Sequence, residues 1–472
     1  MGDVRLVKRA ASIVRSLEAA PALGFPQALR TGDATEGFYR FLRNPRVRYG
    51  ALVDSHAAET VSRISPGSTI RVVHDTTEVS FSGESRAGLG RLRSGHSVQG
   101  FLAHASLVLS AERFPKPLGV VGLHCWARSA KPRSTRNMAG SELAKLADRE
   151  SRRWPEQVKK VEDLVVGRAS IIHLMDREGD AYPLLNMLVQ DGLRFVVRMA
   201  RDRKVFKLGD DDEPDEQLCN LSEELNHMSM VVVREVPVSR RAASTVPGRR
   251  KLHPERAART ARLSVRSGRV ALRRPRYLHE ELEPSVTVNI VYVQEIDPPQ
   301  DDEPIVWVLA TSESVDSAGN VEAVLDHYRA RWNIEEFFKA LKTGCALEER
   351  QLESFETLTN ALALFVPIAW QMLLLRAVSR EIPDTPADQV LTPAQIQVLR
   401  HEQPQKMPAS GATAQHALYA IAGMGGHLKS NGPPGWLTLA RGMQMLTILA
   451  RTWENACASM ERQQKLPRGS DQ

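Results

Sequence analysis

The spacing of apolar residues changes period several times along the chain. Up to about residue 60 they recur at helical intervals among many polar positions, closing on GFYRFLRNPRV, where Asn44-Pro45 marks a turn. After Pro66-Gly67 the texture becomes β-branched. Residues 69–73 (TIRVV), 101–109 (FLAHASLVL) and 118–125 (LGVVGLHC) predict strands bounded by Gly, Pro and Ser. Residues 142–165 return to helical spacing. The apolar run at 170–175 (SIIHLM) predicts a buried strand, followed by a helix at about 181–190 and a strand at 194–199 (RFVVRM). That order predicts a mixed α/β core.

Residues 200–318 read differently. An acidic loop at 210–216 and an arginine-rich stretch accompany predicted strands at 230–238, 261–272, 286–294 and 305–310, the pattern of an all-β insertion. From residue 320 helical spacing resumes and holds for most of the remainder. The 472 residues are too many for a single core, and the changes of texture divide them near residues 60 and 360.

Composition adds one sharp feature. With 42% hydrophobic and 25% charged residues the chain reads as globular, which excludes wholesale disorder. Its net charge of +7 is only mildly basic. Residues 240–276, however, hold thirteen Lys or Arg against the single acid Glu255, a local charge of +12 that leaves −5 for the rest. The four cysteines lie far apart with no C-x-x-C, against a disulfide framework or a thiolate zinc site. The first residues carry charges throughout and lack a signal-peptide core. The longest apolar stretch, 361–375, is broken by Pro367 and Gln371 and is expected to be too short to span a bilayer. A reducing cytoplasm and no membrane partner are the expectation.

Three acids stand out by position. Asp75 follows a strand in VVHDTTEVSF, Asp176 opens DREGD after SIIHLM, and Glu335 sits in the helix DHYRARWNIEEFFKALKTG. Carboxylates at the ends of neighbouring strands, joined by one from a helix, form an oxygen cluster suited to Mg²⁺ or Mn²⁺. Two such ions about 4 Å apart can clamp both oxygens of an in-line phosphoryl displacement. Tyr328, Arg331, Glu335, Lys339 and Lys342 fall on one face of that helix, a carboxylate flanked by groups that can hold phosphates. The same geometry selects Glu335 over Glu336, and Asp176 over Asp180. The plainer alternative is a solvated face with a Glu335–Lys339 pair, and turn aspartates of no special role.

The spacing Tyr328-x2-Arg331-x3-Glu335-x6-Lys342 resembles the Y-R-E-K signature of the bacterial cut-and-paste DDE transposases, the insertion-sequence-four-like family. HDTTEVSF and DREGDAY resemble that family's first and second aspartate segments. QGFLAHASLVL, RFVVR, VWVLATSE and YRARWNIEEFFKALKTG follow in the same order, so the likeness covers nearly the whole chain.

The resemblance implies an RNase H-like catalytic core with an all-β insertion, flanked by helical N- and C-terminal domains. It assigns residues 1–60 to transposon-end DNA binding, 61–360 to catalysis with the basic insertion at 200–318, and 361–472 to dimerisation. Asp75, Asp176 and Glu335 would be catalytic ligands of Mg²⁺ or Mn²⁺, two ions per site. The reactions implied are nicking at an inverted-repeat end, hairpin formation, hairpin opening and strand transfer into target DNA. Trp307 matches an aromatic that stacks on a flipped base. Arg198, Tyr328 and Arg331 match phosphate-holding groups, with Lys339 and Lys342 beside them on the helix face. The partners implied are double-stranded DNA and a second copy in a synaptic homodimer, with no small-molecule substrate. Met1 begins at a G-D-x-R-L segment that the family usually precedes with a further helical stretch, so the end-binding domain is expected to be incomplete at its start. Two rivals follow: a truncated, DNA-binding interfering protein that dimerises with a full-length transposase, and a nuclease with no transfer step.

Overall fold

The computed structural model describes residues 3–92, 95–128, 152–209, 213–238, 255–278, 281–300, 302–428, 430 and 432–464. The start of the helix expected at 142–165, part of the acidic loop and residues 240–254 of the basic segment lie outside these.

Four helices open the chain: α1 (Val4–Glu18), α2 (Phe25–Leu29), α3 (Gly32–Leu42) and α4 (Tyr49–Ser62). Their starts are chemically marked. Asp3 accepts a hydrogen bond from the Arg5 amide at the head of α1, and Thr31 accepts one from Ala34 at the head of α3. Their apolar faces meet through Ile13, Leu17, Phe25, Phe38 and Phe41.

A mixed sheet follows, from β1 (Ser68–Phe81), β2 (Gly90–Leu92), β3 (Gly95–Ser110) and β4 (Pro117–Trp126). After helix α5 (Arg153–Val165) come β5 (Ala169–Met175), α6 (Tyr182–Gln190) and β6 (Arg194–Arg198). In space these strands run β4-β3-β1-β5-β6. The first two are antiparallel to their neighbours, and β1, β5 and β6 are mutually parallel, joined by helical crossovers. Successive residues of β1 alternate faces, so Val72 and Ile70 enter the core beneath α5 while Val73 and Val79 enter the core shared with the C-terminal helices.

The remaining strands are β7 (Lys204–Leu208), β8 (Pro214–Asn220), β9 (Ser229–Val238), β10 (Arg259–Arg273), β11 (Ser285–Ile296) and β12 (Val306–Thr311). A reading of this region as purely β is corrected by helix α7 (Leu221–His227). Nor do these strands form a sheet of their own. Leu309, Ala310 and Thr311 of β12 pair antiparallel with Arg198, Val197 and Val196 of β6, which continues the core into one sheet of twelve strands. Most of the described part of the basic segment is strand β10, and some of its charge is neutralised internally: Arg259 is ion-paired with Glu295 and Asp302.

Helical structure then resumes in α8 (Ala318–Ala330) and α9 (Trp332–Lys339), with a π-turn at Ala340–Gly344. Next come α10 (Phe355–Glu381), α11 (Pro393–Glu402), α12 (Ala414–Met424) and α13 (Trp436–Gln464). The apolar stretch around Pro367 proves longer than its sequence suggests. Helix α10 has 27 residues, long and apolar enough by composition to cross a membrane, but its most apolar window is 78% buried inside the protein, as in a core helix. Ser354 and Thr357 form a capping box at its start. Residues of all three expected segments, among them Ile13, Val73, Phe337, Phe365 and Leu439, share one apolar core.

Arg350 ties these parts together. It is 3% exposed, donates to the carbonyls of Pro21, Leu23 and Cys345, and lies against the rings of both Phe25 and Phe365. Arg350→Ala should leave three buried carbonyls unpaired and lower unfolding free energy by on the order of 3 kcal/mol or more. Chemical denaturation measures this, and a loss within about 0.5 kcal/mol would show that the clamp is dispensable.

Candidate active site

The parallel pairing of β1 and β5 sets the site. It runs from Ser68 opposite Ala169 to His74 opposite Met175, where β5 ends. The next residue on each strand is an acid, Asp75 and Asp176, so the register itself brings the two together. Asp75 does not follow its strand, as its sequence suggests. It lies within β1, which runs on to Phe81 by pairing with β3 and places Asp75 opposite Ala105. Asp75 accepts a hydrogen bond from the Thr76 amide at 2.7 Å. Asp176 accepts one from the Glu178 amide at 2.9 Å, capping a short turn at Arg177–Gly179.

The third acid arrives through an arginine. Helix α8 is fastened to β1 by Arg71, whose Nε donates to His327 Nδ1 at 2.8 Å. One turn on, Arg331 Nη1 reaches Asp75 Oδ2 at 3.1 Å and Nη2 reaches Glu335 Oε1 at 2.5 Å. A single guanidinium thus bridges two of the three acids, with the Arg331 and Asp75 side chains both 12% exposed. Burial, and then the neighbouring Asp176 charge, push the Asp75 carboxyl up from 3.8 to about 7, while Arg331 opposes the rise.

Among the described residues no three His, Cys, Asp or Glu side chains stand close enough to enclose a metal together. The Arg331 cation stands between Asp75 and Glu335 instead. The donor set nevertheless fits a hard divalent cation: all three candidates offer oxygen only, and burial together with the neighbouring Asp176 charge raises Asp75.

The other expected residues divide into two groups. Tyr328 is buried below Arg331 with its ring 5.3 Å from that of Trp307, which is only partly buried. Arg198 donates to the carbonyl of Val306, next to Trp307. Arg198, Trp307, Tyr328 and Arg331 therefore form a row leading to the acids. Lys339 and Lys342 do not join it. Lys339 pairs with Glu336 at 2.7 Å and lies over the Trp332 ring, so the Glu335–Lys339 pair of the plainer alternative is not formed among the described residues. Lys342 Nζ donates to the Glu78 carbonyl and stands 3.8 Å from Glu348. The helix face expected to carry them all is interrupted at Arg331 and again by the π-turn.

The two acids set aside on geometry are engaged elsewhere. Asp180 is buried and ion-paired with Arg203 at 2.6 Å, and Glu336 faces Lys339 and Arg376. A polar layer behind the site, with His74, His104 and His173, has no counterpart in the sequence reading. Its only signal there is that His74 neighbours Asp75 and must point to the opposite face of β1.

The mixed α/β fold thus brings two carboxylates from neighbouring strands, Asp75 and Asp176, near a helical one, Glu335. The family model described as transposase DNA-binding matches residues 1–47, and the one described as transposase DDE domain matches residues 150–366. The chain thus carries the DNA-binding and DDE domains of a DNA transposase, and the DDE domain implies an RNase H-like core. The DDE match spans Asp176, Arg331 and Glu335, and begins beyond Asp75.

Because the Asp75 carboxyl is raised to about 7, the native state keeps its proton where the unfolded chain has lost it. Its contribution to stability therefore falls as pH rises from about 4 to 7 and is constant above. In metal-free buffer, Asp75→Asn should gain on the wild type by on the order of 1 kcal/mol or more between pH 5 and pH 8. Urea melts at the two pH values check this, and parallel profiles would contradict it.

Proposed function

We propose that this chain is a cut-and-paste transposase of the Y-R-E-K, insertion-sequence-four-like family. Asp75, Asp176 and Glu335 are its catalytic acids, and they would hold Mg²⁺ or Mn²⁺, two ions per site. The observation that supports this most is the β1–β5 register, which sets Asp75 and Asp176 side by side, with Glu335 drawn to Asp75 through Arg331. Bound there, the metal supplies Lewis-acid activation of an in-line phosphoryl displacement. One such centre would suit nicking at the transposon end, hairpin formation, hairpin opening and strand transfer alike, because each is the same displacement.

The protein's own groups have separate tasks. Arg331 has two anionic partners inside the protein and is placed to exchange them for a DNA phosphate, leaving the carboxylates free for metal. Tyr328 holds Arg331 and the Trp307 ring in place from below. The exposed part of Trp307 offers a stacking surface for a base extruded when the hairpin strains the strand. Arg198 lies beside it on β6, and Lys339 and Lys342 take a subordinate place in DNA binding. The N-terminal helices bind the transposon end, the β insertion grips phosphates, and the C-terminal helices join two copies on paired ends in the bacterial cytoplasm.

Incubating the protein and Mg²⁺ with a duplex carrying the inverted repeat beside its gene tests the reading. Nick, hairpin and strand-transfer products are expected, falling at least about 10³-fold in Glu335→Ala. Trp307→Ala should nick normally but form hairpins at least about tenfold more slowly. Binding without any cleavage by the native chain would contradict the assignment and favour a truncated, interfering DNA-binding protein. Cleavage without transfer would favour a simple nuclease.

A further inference from the structure

On the far side of the sheet from Asp75, five polar side chains form an unbroken hydrogen-bonded row. Gln157 Nε2 donates to Ser106 Oγ at 3.1 Å, and Ser106 Oγ lies 3.0 Å from His74 Nδ1. His74 Nε2 is 2.9 Å from His173 Nδ1, and His173 Nε2 is 2.8 Å from Glu162 Oε1. The row begins and ends on α5 and crosses β3, β1 and β5 on the way. Both imidazoles are fully buried, at 0% exposure.

One set of tautomers gives the row a consistent direction. With the Glu162 carboxylate accepting from His173 Nε2, a neutral His173 presents Nδ1 as an acceptor for a proton on His74 Nε2. His74 Nδ1 is then a lone pair too, filled by the Ser106 hydroxyl, whose oxygen accepts from Gln157. Every donor in the row then meets an acceptor, and burial holds His74 well below the ordinary histidine range. The seat is built for it: a Cβ on Gly122 would fall 1.6 Å from Gln157 Nε2.

The position of the row gives it consequence. His74 stands opposite Met175 in the last pair of the β1–β5 ladder, and beyond it no backbone pairing fixes Asp75 relative to Asp176. We propose that the row Gln157–Ser106–His74–His173–Glu162 is a positioning device that fixes the spacing of Asp75 and Asp176. His74 and His173 are its central positioning residues, and they touch neither metal nor DNA. Hydrophobic packing could hold the two strands together equally well, but it slides at little cost. A directed row of hydrogen bonds anchored at both ends on one helix does not.

This inference rests on Asp75 and Asp176 being the metal ligands, so the test reads metal binding directly. Mn²⁺ is titrated into the full-length protein without DNA, and free Mn²⁺ is followed by electron paramagnetic resonance. His173→Leu should weaken binding by about tenfold while the folded fraction, followed by circular dichroism, is preserved. Glu162→Leu, which removes only the outer anchor, should shift it in the same direction, and Glu162→Gln, which keeps an acceptor, should restore it. In DNA cleavage the same variants should raise the Mn²⁺ needed for half-maximal rate more than they lower the rate at saturation. Wild-type Mn²⁺ affinity in both leucine variants, or a loss no larger than the loss of folded protein, would overturn the proposal. Should His173→Leu not fold, the Glu162 pair decides. Asp75→Ala separates the two ideas: if it leaves Mn²⁺ binding unchanged, the metal-site reading itself fails. If it abolishes binding while both leucine variants bind normally, only the positioning role fails.

Discussion

The candidate site depends on where one strand stops pairing with another. The β1–β5 ladder ends at His74 and Met175, and the chain places an aspartate immediately after each. Two carboxylates brought together in a largely buried place repel one another and lose hydration, and the raised Asp75 carboxyl registers that cost. In the protein alone, Arg331 offsets it by bridging Asp75 and Glu335. A group of anions stabilised by a single guanidinium is suited to accept a further cation, and this is the physical basis of the proposed metal site.

The rest of the molecule serves that junction. Helix α8 is fastened to β1 by the Arg71–His327 contact, which fixes where Arg331 and Glu335 can reach. Tyr328 and Trp307 extend the same row onto β12. Because β12 pairs directly with β6, the added strands are continuous with the core sheet, and Trp307 is held in register with the strand that carries Arg198. Arg350 joins the N-terminal helices to α10 and to the loop that follows the Glu335 helix. The matched DNA-binding segment and the acids are thus parts of one packed body.

Much of this was legible in the sequence, for reasons that also mark the limits. Asp176 stood out because it ends a mostly apolar, buried strand, and the strands of the added region because their alternation is clean. Alternation does not name partners, however, so the pairing of β12 with β6 could not be read. Asp75 was found but misplaced at the end of its strand, because the polar residues after it, TTEVS, hide a strand that continues by pairing only with β3. Lys339 and Lys342 were assigned to the acid-bearing face by helical spacing alone; Lys339 shares one helix with Glu335 but its ammonium pairs with Glu336, and Lys342 lies in the π-turn at Ala340–Gly344. His74 and His173 stand 99 positions apart and meet only through the parallel register, which no local pattern encodes.

The most direct measurement is a crystal structure of the chain bound to its transposon end with Mn²⁺, the metal located by anomalous scattering. Peaks are expected within bonding distance of Asp75 and Asp176, with Glu335 released from Arg331 and the guanidinium on a DNA phosphate. Metal located away from Asp75 and Asp176, or Arg331 still bridging Asp75 and Glu335 in the DNA complex, would contradict this account of the site.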